Sequence, residues 1–372
     1  MDNITIIGIV SFIIVILFLL FSAFLLTVKT VKKISNQLLA GFLIITAIDI
    51  SVFFYHNFIE LPPALEMFRI QISAFKDPLL FLYILSVIYS DFKLKWKHLV
   101  HLIPWVINIV ILLPNFFLVP REAQISFLNY FNETPEAHYI SVLGKIIEVI
   151  YIIAELYYLL RYRKLLLENY TSKDAFYNYH WVKQLIIFIL VGQILTFIKA
   201  FIRDSGDFDE QFVNIFRIIL LSFGLFFSFW LVFKALLSPK LFRGIAVDLR
   251  LSKEMTDGKN KTHSNQIDLI KNYMTEEEPF LDPSLTVKSL SEKVNIPHRE
   301  LSVLINQELG QHFFDFVNGY RIEKAKSILK DNVKTKLTVL EILYEVGFNS
   351  KSSFNTAFKK HTGKTPTAYR KS

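Results

Sequence analysis

The sequence contains no cysteine, so disulfides, thiolate metal sites, iron–sulfur ligation and cysteine nucleophiles are all excluded. Glycine is scarce, at 12 of 372 residues, and no glycine-rich nucleotide loop or other enzymatic signature stands out, which argues against a kinase and against any enzyme. Charge is thin: Asp, Glu, Lys and Arg make up 20% of the chain, against about 25% in an ordinary soluble domain. Apolar residues take that place. They reach 52%, with 36 Phe, and they crowd into the first 237 positions. A membrane part followed by a soluble part is the first expectation. The net charge of +8 fits cytoplasmic-side lysines, a nucleic-acid partner, or both.

About 20 apolar residues cross the hydrocarbon core as a helix. Ile4–Val28 is an uncharged stretch of that length, and reads as a helix rather than a leader, because Asp2 precedes it and Lys29, Lys32 and Lys33 follow. Similar stretches recur at Leu38–Ile59, Ala64–Tyr89, Leu99–Val119, Tyr139–Leu160, Leu185–Ile202 and Phe212–Leu237. Seven spans are therefore expected. The third is interrupted by Glu66, Arg69, Lys76, Asp77 and Pro78. Loop charge argues that it crosses nonetheless. The loops after spans one, three and five carry Lys29, Lys32, Lys33, Lys93, Lys95, Lys97, Arg161, Arg163, Lys164, Lys173 and Lys183, whereas the others hold only Arg121 and Arg203 among many acids. Because cations mark the cytoplasmic side, the N-terminus is expected outside and the C-terminal part in the cytoplasm.

From Ser238 the composition turns polar, and residues 238–266 read as a juxtamembrane linker after a membrane domain of residues 1–237. The rest, 267–372, has helical periodicity throughout, so the whole chain is expected to be all-α. Two segments share one plan. Thr286 caps a helix with Val287, Leu290 and Val294 inward; Asn295, Ile296 and Pro297 turn the chain; a second helix from His298 buries Leu301, Leu304 and Ile305 and ends at Gly310. Then Thr338 with Glu341 makes a capping box, Gly347, Phe348 and Asn349 turn, and Ser350 caps a helix burying Phe354 and Phe358 up to Gly363. A long helix, about Phe313 to Lys330, joins the two helix-turn-helix outlines.

The run Arg321–Leu329, with Val346, Gly347, Phe348, Ser350, Phe354, Phe358, Gly363, Thr365, Pro366 and Tyr369, resembles the DNA-binding domain of AraC/XylS-type transcription regulators. That resemblance implies a two-lobed domain whose two recognition helices enter successive major grooves of promoter DNA. By position it implies base-facing roles for Arg299, Ser302 and Val303 in the first helix and for Lys351, Ser352, Asn355 and Thr356 in the second. Val303 and Thr356 stand where the family often has Arg, and Leu343 where it usually has a small Ala. Charge agrees independently, since phosphates are held by Lys, Arg and helix N-termini. Residues 332–372 carry eight cations, Lys359 and Lys360 among them, against Glu341 and Glu345, whereas residues 261–331 are net −2.

The reading is a membrane-bound one-component transcription regulator in the bacterial inner membrane, its tethered double helix-turn-helix domain controlled by a membrane-embedded sensor. The rival is a transporter or receptor-like protein whose helical tail binds a protein partner. No cofactor and no metal are expected; His98 and His101 at a membrane boundary read as interfacial side chains. Glu148 and Glu155 lie seven apart in the fifth span without a nucleophile, and suggest no catalysis. Arg69, Lys145, Lys199 and Arg217 fall at similar depths, on the order of 6 to 9 Å below the outer boundary at 1.5 Å per residue. Intramembrane charge usually faces the bundle interior. With Glu148 and Asp49 these residues are the candidate pocket for a small anionic ligand, and a homodimer on DNA is compatible with this reading.

Overall fold

The computed structural model describes residues 6–30, 33–171, 176–205, 209–238, 240–243, 263–330 and 337–371. The described residues are helical, and their one extended pairing is an isolated antiparallel bridge between Tyr170 and Thr286. The elements are α1 (Ile6–Thr27), α2 (Lys33–Ile50), α3 (Pro63–Gln71), α4 (Lys76–Ile88), α5 (Ile103–Leu112), α6 (Arg121–Asn129), α7 (Pro135–Asn169), α8 (Tyr177–Ser205), α9 (Glu210–Leu237) and α10 (Lys240–Arg243). They are followed by α11 (His263–Glu276), α12 (Val287–Val294), α13 (His298–Val303), α14 (Phe313–Lys330), α15 (Val339–Glu345), α16 (Lys351–Thr362) and α17 (Pro366–Lys371). The all-α expectation holds. Two compact units form, Met1–Leu159 with Trp181–Leu251, and Leu160–His180 with Ser252–Ser372. Most of the expected linker, 244–262, lies outside the described residues.

In the first unit, Ile14, Phe18, Phe21 and Leu25 form a buried stripe at one-turn spacing along α1, and α1 packs against α2 and α9. The opposite face exposes Ile6, Ile9, Phe12, Leu19 and Leu20. A helix apolar on every side suits a membrane span and leaves no polar face for water. Among the described residues, six segments are long and apolar enough to cross a membrane: Ile6–Thr27, Lys33–Phe53, Pro63–Ile88, Trp96–Phe117, Tyr177–Ile202 and Gln211–Leu237.

By length and composition six of the expected seven segments meet this measure. The remaining stretch, Tyr139–Leu160, lies within the 35-residue α7, and Lys145, Glu148 and Glu155 make it too charged to join the set. The third and fourth spans are not continuous α-helices either. Pro78 has no N–H for the carbonyl of Ala74, and the chain passes from α3 through a 3-10 turn at Ile72–Phe75 into α4. Pro114 likewise cannot bond Val110; the Leu113 N–H takes that carbonyl instead, and a π-turn, Leu113–Phe117, follows.

The short α10 that follows α9 is held by aromatic packing inside this unit. Phe242 is 2% exposed, lies edge-on to Phe21 and Trp181, and its carbonyl accepts from Asn36 Nδ2 at 3.1 Å. Trp181 stacks on Trp230 at 5.2 Å and donates its indole N–H to the Tyr83 hydroxyl at 2.6 Å.

The second unit has two cores in series. Ile270 and Met274 of α11, Leu290 and Val294 of α12, Leu301, Leu304 and Ile305, and Phe313, Phe316 and Val317 of α14 form the first. Ile322, Ala325, Ile328 and Leu329, further along α14, join Ile342, Leu343, Val346, Phe348, Phe354 and Phe358 in the second. Leu343, where the resemblance leads one to expect a small Ala, is fully buried and fills this second core.

Candidate nucleic-acid interface

Local chemistry sets both turns of the second unit. The Thr286 hydroxyl accepts from Ser289 N at 3.1 Å and Ser289 Oγ accepts from Thr286 N at 3.0 Å, so two otherwise orphaned donors start α12 satisfied. Asn295, at φ +52°, closes α12 in the left-handed region, and Pro297 precedes α13. The second helix of the first motif, the first of the two expected to read DNA, is composite, with α13 passing into a π-turn at Leu304–Glu308 before Gly310 at φ +65° ends it. The second motif repeats the design. Thr338 and Glu341 cap each other across 3.1 and 2.7 Å, Ser350 Oγ accepts from Ser353 N at 3.2 Å, and Gly363 at φ +72° ends α16.

The turn between α15 and α16 requires glycine for two reasons. Gly347 sits at φ +85°, and a Cβ there would lie 2.5 Å from the Phe280 carbonyl oxygen and 2.7 Å from that of Leu281. The segment Phe280–Leu281 therefore presses backbone against backbone on the second motif. Arg321 fastens the same place. It is 1% exposed, its Nε donates to Phe280 O at 2.7 Å, its Nη2 to Asp282 O at 2.8 Å, and its Nη1 to Asn318 Oδ1 at 3.3 Å. The guanidinium also lies 5.5 Å from the Phe348 ring centroid. Burial pushes its proton affinity down, to about 10, while Asp282 pulls the other way, so it remains a cation at neutral pH. One side chain thus ties the linker helix, the Phe280–Asp282 segment and the second turn together. Arg321 and Gly347 enter the sequence reading only as parts of a motif; their role as a joint rests on partners about 40 to 70 positions away.

Lys351, Asn355 and Lys359 recur at one-turn spacing along α16, with Ser352 and Thr356 beside them. All but the half-buried Asn355 are exposed, while Ser353, Phe354, Ala357 and Phe358 turn inward. Asn355, Thr356, Lys359, Lys360 and Thr365 line one open groove of about 420 Å³. Lys360 differs from its neighbours, because its ammonium pairs with Asp315 of α14 at 2.6 Å. Such an exposed pair is worth little; Lys351 and Lys359 stand exposed on the same face. The Thr356 hydroxyl donates to Ser352 O at 2.7 Å. In the first reading helix Ser302 and Val303 are half-buried, and Ser302 Oγ accepts from Asn306 Nδ2 at 3.1 Å; the Arg299 side chain lies outside the described residues.

A family model described as a helix-turn-helix domain matches residues 290–372. This part of the chain is an AraC-type helix-turn-helix domain. Over 86 residues the chain is 38% identical to an uncharacterized HTH-type transcriptional regulator of Staphylococcus aureus (strain COL), covering 23% of this chain and 11% of the relative. Over 91 residues it is 30% identical to the HTH-type transcriptional regulator CdhR of Pseudomonas aeruginosa, covering 24% of this chain and 26% of the relative. The C-terminal domain of the response regulator yesN from Fusobacterium nucleatum is 36% identical, with 28% of this chain and 98% of that chain covered and a TM-score of 0.25. The chain spans about a tenth to a quarter of the length of the two curated relatives.

The residues of the candidate ligand pocket belong to the first unit, and their charges are answered in part by residues that sequence reasoning did not assign to it. Arg69 Nη2 pairs with Glu66 at 2.7 Å, and the Tyr55 hydroxyl bonds the same carboxylate. Asp49 pairs with Lys76 at 2.8 Å and also feels the charges of Arg69 and Lys199. Glu148 feels Asp77, Lys76 and Lys145. Arg217 donates to Asn214 on its own helix at 2.8 Å. Asp49, Arg69, Lys76 and Lys199 are thus brought into one electrostatic neighbourhood. The charged pair Lys76–Asp49, 27 positions apart, carries no short-range sequence signal.

Proposed function

We propose that the protein is a membrane-integrated one-component transcription regulator, in which spans before residue 238 sense a signal and the AraC-type domain binds promoter DNA. The observation that carries this reading is the face of α16: a cation, a polar side chain and a cation at one-turn spacing on a domain of DNA-binding type. A major groove accepts a helix, and base edges there are read by such short polar and cationic side chains. In this reading Lys351, Ser352, Asn355 and Thr356 approach bases, as do Arg299, Ser302 and Val303 in the first helix, while Lys359 holds a phosphate and Lys360 can do so by exchanging Asp315 for it. Lys359→Ala is expected to weaken all duplexes alike and to lower the salt slope by about one. Lys351→Ala is expected to alter the preferred bases, by about 1–3 kcal/mol at the contacted position. Titrating two unrelated duplexes at several salt concentrations separates these outcomes; equal behaviour of the two variants would overturn the assignment.

The cation distribution supports a crossing α7, an external N-terminus and a cytoplasmic C-terminal unit in the inner membrane. The absence of native cysteine gives a clean background for labelling. Glu133→Cys is expected to react with an impermeant maleimide added outside intact cells, and Tyr170→Cys only after lysis. Labelling of both from one side contradicts the topology. Within that membrane part, Asp49, Arg69, Lys76 and Lys199, with Lys145, Glu148 and Arg217, form the candidate site for a small anionic ligand. An anion entering between Lys76 and Asp49 would take over the ammonium and release the carboxylate to Arg69 and Lys199.

A further inference from the structure

The chain following α7 makes contacts that neither the DNA reading nor the candidate ligand site uses. Residues Leu160–His180 belong to the same compact unit as the helix-turn-helix domain. The Tyr170 backbone pairs with Thr286, the residue that caps α12. Thr171 is 4% exposed, and its hydroxyl donates to Leu285 O at 2.8 Å while lying 3.4 Å from Arg321 Nη2. Phe176 stands edge-on to Phe314 of α14 at 6.0 Å. One turn and more before Thr171, Lys164 and Glu168 line a cavity of about 480 Å³ together with Ser302, Val303, Asn306 and Gln307 of the first reading helix.

We infer that this segment is a docking strap that holds the first reading helix away from DNA. The inference rests on the DNA-binding reading of the domain. A major groove is about 12 Å wide and 8.5 Å deep, and its phosphate walls must flank the helix that reads it. The end of α7 leaves about 480 Å³ over Ser302 and Val303, too little for a groove wall to enter. Over the second reading helix Asn355 and Thr356 line the open groove described above, and Lys351 and Ser352 are exposed, with no such cover among the described residues. Docked, the domain presents one reading helix; undocked, it presents two.

Among the described residues the contact includes one backbone bridge, one buried hydroxyl with two partners and one ring pair, and a displacement of α7 acts on all of them. That helix runs unbroken from Pro135 to Asn169, and a shift or rotation of its first part moves Lys164 and Glu168 with it. Arg321 gives the strap a second consequence, because it contacts Thr171 while joining the two lobes.

The test uses the full chain in nanodiscs. In the cysteine-free background, Glu168→Cys with Gln307→Cys is treated with a short bis-methanethiosulfonate crosslinker, which forms a disulfide to each thiol by displacing methanesulfinate and is cleaved by a reductant, and titrated with random-sequence duplex DNA. The pair is expected to crosslink within one chain, and the linked form to bind about tenfold or more weakly, as befits loss of one reading helix, with recovery on cleavage. Thr171→Val with Phe176→Ala is expected to shift affinity the other way and to extend a hydroxyl-radical footprint from one groove to two. Failure to crosslink, judged without any DNA, overturns the docking. Efficient crosslinking with unchanged affinity and footprint overturns the inhibition alone. Absence of DNA binding by linked, cleaved and Thr171/Phe176 forms alike overturns the DNA reading and the proposal with it.

Discussion

Gly347→Ala is expected to destabilise the second lobe by about 3–5 kcal/mol, a large part of the margin of an ordinary domain. Two independent costs add. A non-glycine residue at φ +85° carries strain of about 1–3 kcal/mol. The new Cβ would also meet backbone oxygens of Phe280 and Leu281 at 2.5 and 2.7 Å, atoms that cannot rotate away as a side chain can. Gly310 is the matched control. It has a similar φ of +65° with nothing within 4 Å of a built Cβ, so Gly310→Ala is expected to cost about 1 kcal/mol. Native-state hydrogen exchange over residues 337–371 reads the difference, with protection expected to fall at least about thirtyfold more for Gly347→Ala. Equal losses in the two variants would show that the contact with Phe280–Leu281 is not tight.

The second large effect is expected at Arg321. Arg321→Met keeps much of the volume but leaves the Phe280 and Asp282 carbonyls without their charged donor, and losing hydrogen bonds to a buried cation of this kind is expected to cost about 3 kcal/mol or more. Arg321→Lys is expected to recover little, because a single ammonium cannot reproduce a planar fork that reaches two carbonyls at 2.7 and 2.8 Å. Thermal unfolding of the C-terminal unit followed by circular dichroism measures both. A lysine variant within about 0.5 kcal/mol of the parent chain, the range of an ordinary surface change, would contradict the joint described for Arg321.

The features that were legible in the sequence are those whose causes are short-range. Thr286, Thr338 and Ser350 start helices because a hydroxyl reaches an amide three residues on, and Gly310, Gly347 and Gly363 end or turn them because only glycine enters that backbone region cheaply. Hydrophobic spacing likewise placed the inward faces of α12, α14 and α16. What escaped the sequence reading depends on distant partners. The Asp315 that holds Lys360, the Asp49 that holds Lys76, and the carbonyls gripped by Arg321 are separated from their partners by 45, 27 and about 40 positions. The same holds for Leu160–His180, which charge counting places on the cytoplasmic side but whose contact with Thr286 has no pattern of its own. The seven expected spans and the six segments that meet length and apolarity differ for a local reason: Lys145, Glu148 and Glu155 fall inside an otherwise apolar stretch of α7.

The central claim is that the AraC-type domain binds duplex DNA by sequence. Selection from a random duplex pool by the fragment 261–372, repeated at two salt concentrations, tests it most directly. The expected result is one enriched site with two informative blocks about one helical turn apart, as two reading helices in successive grooves require, and an affinity that falls steeply as salt rises. A pool that yields no enriched sequence, with binding indifferent to salt, would contradict it.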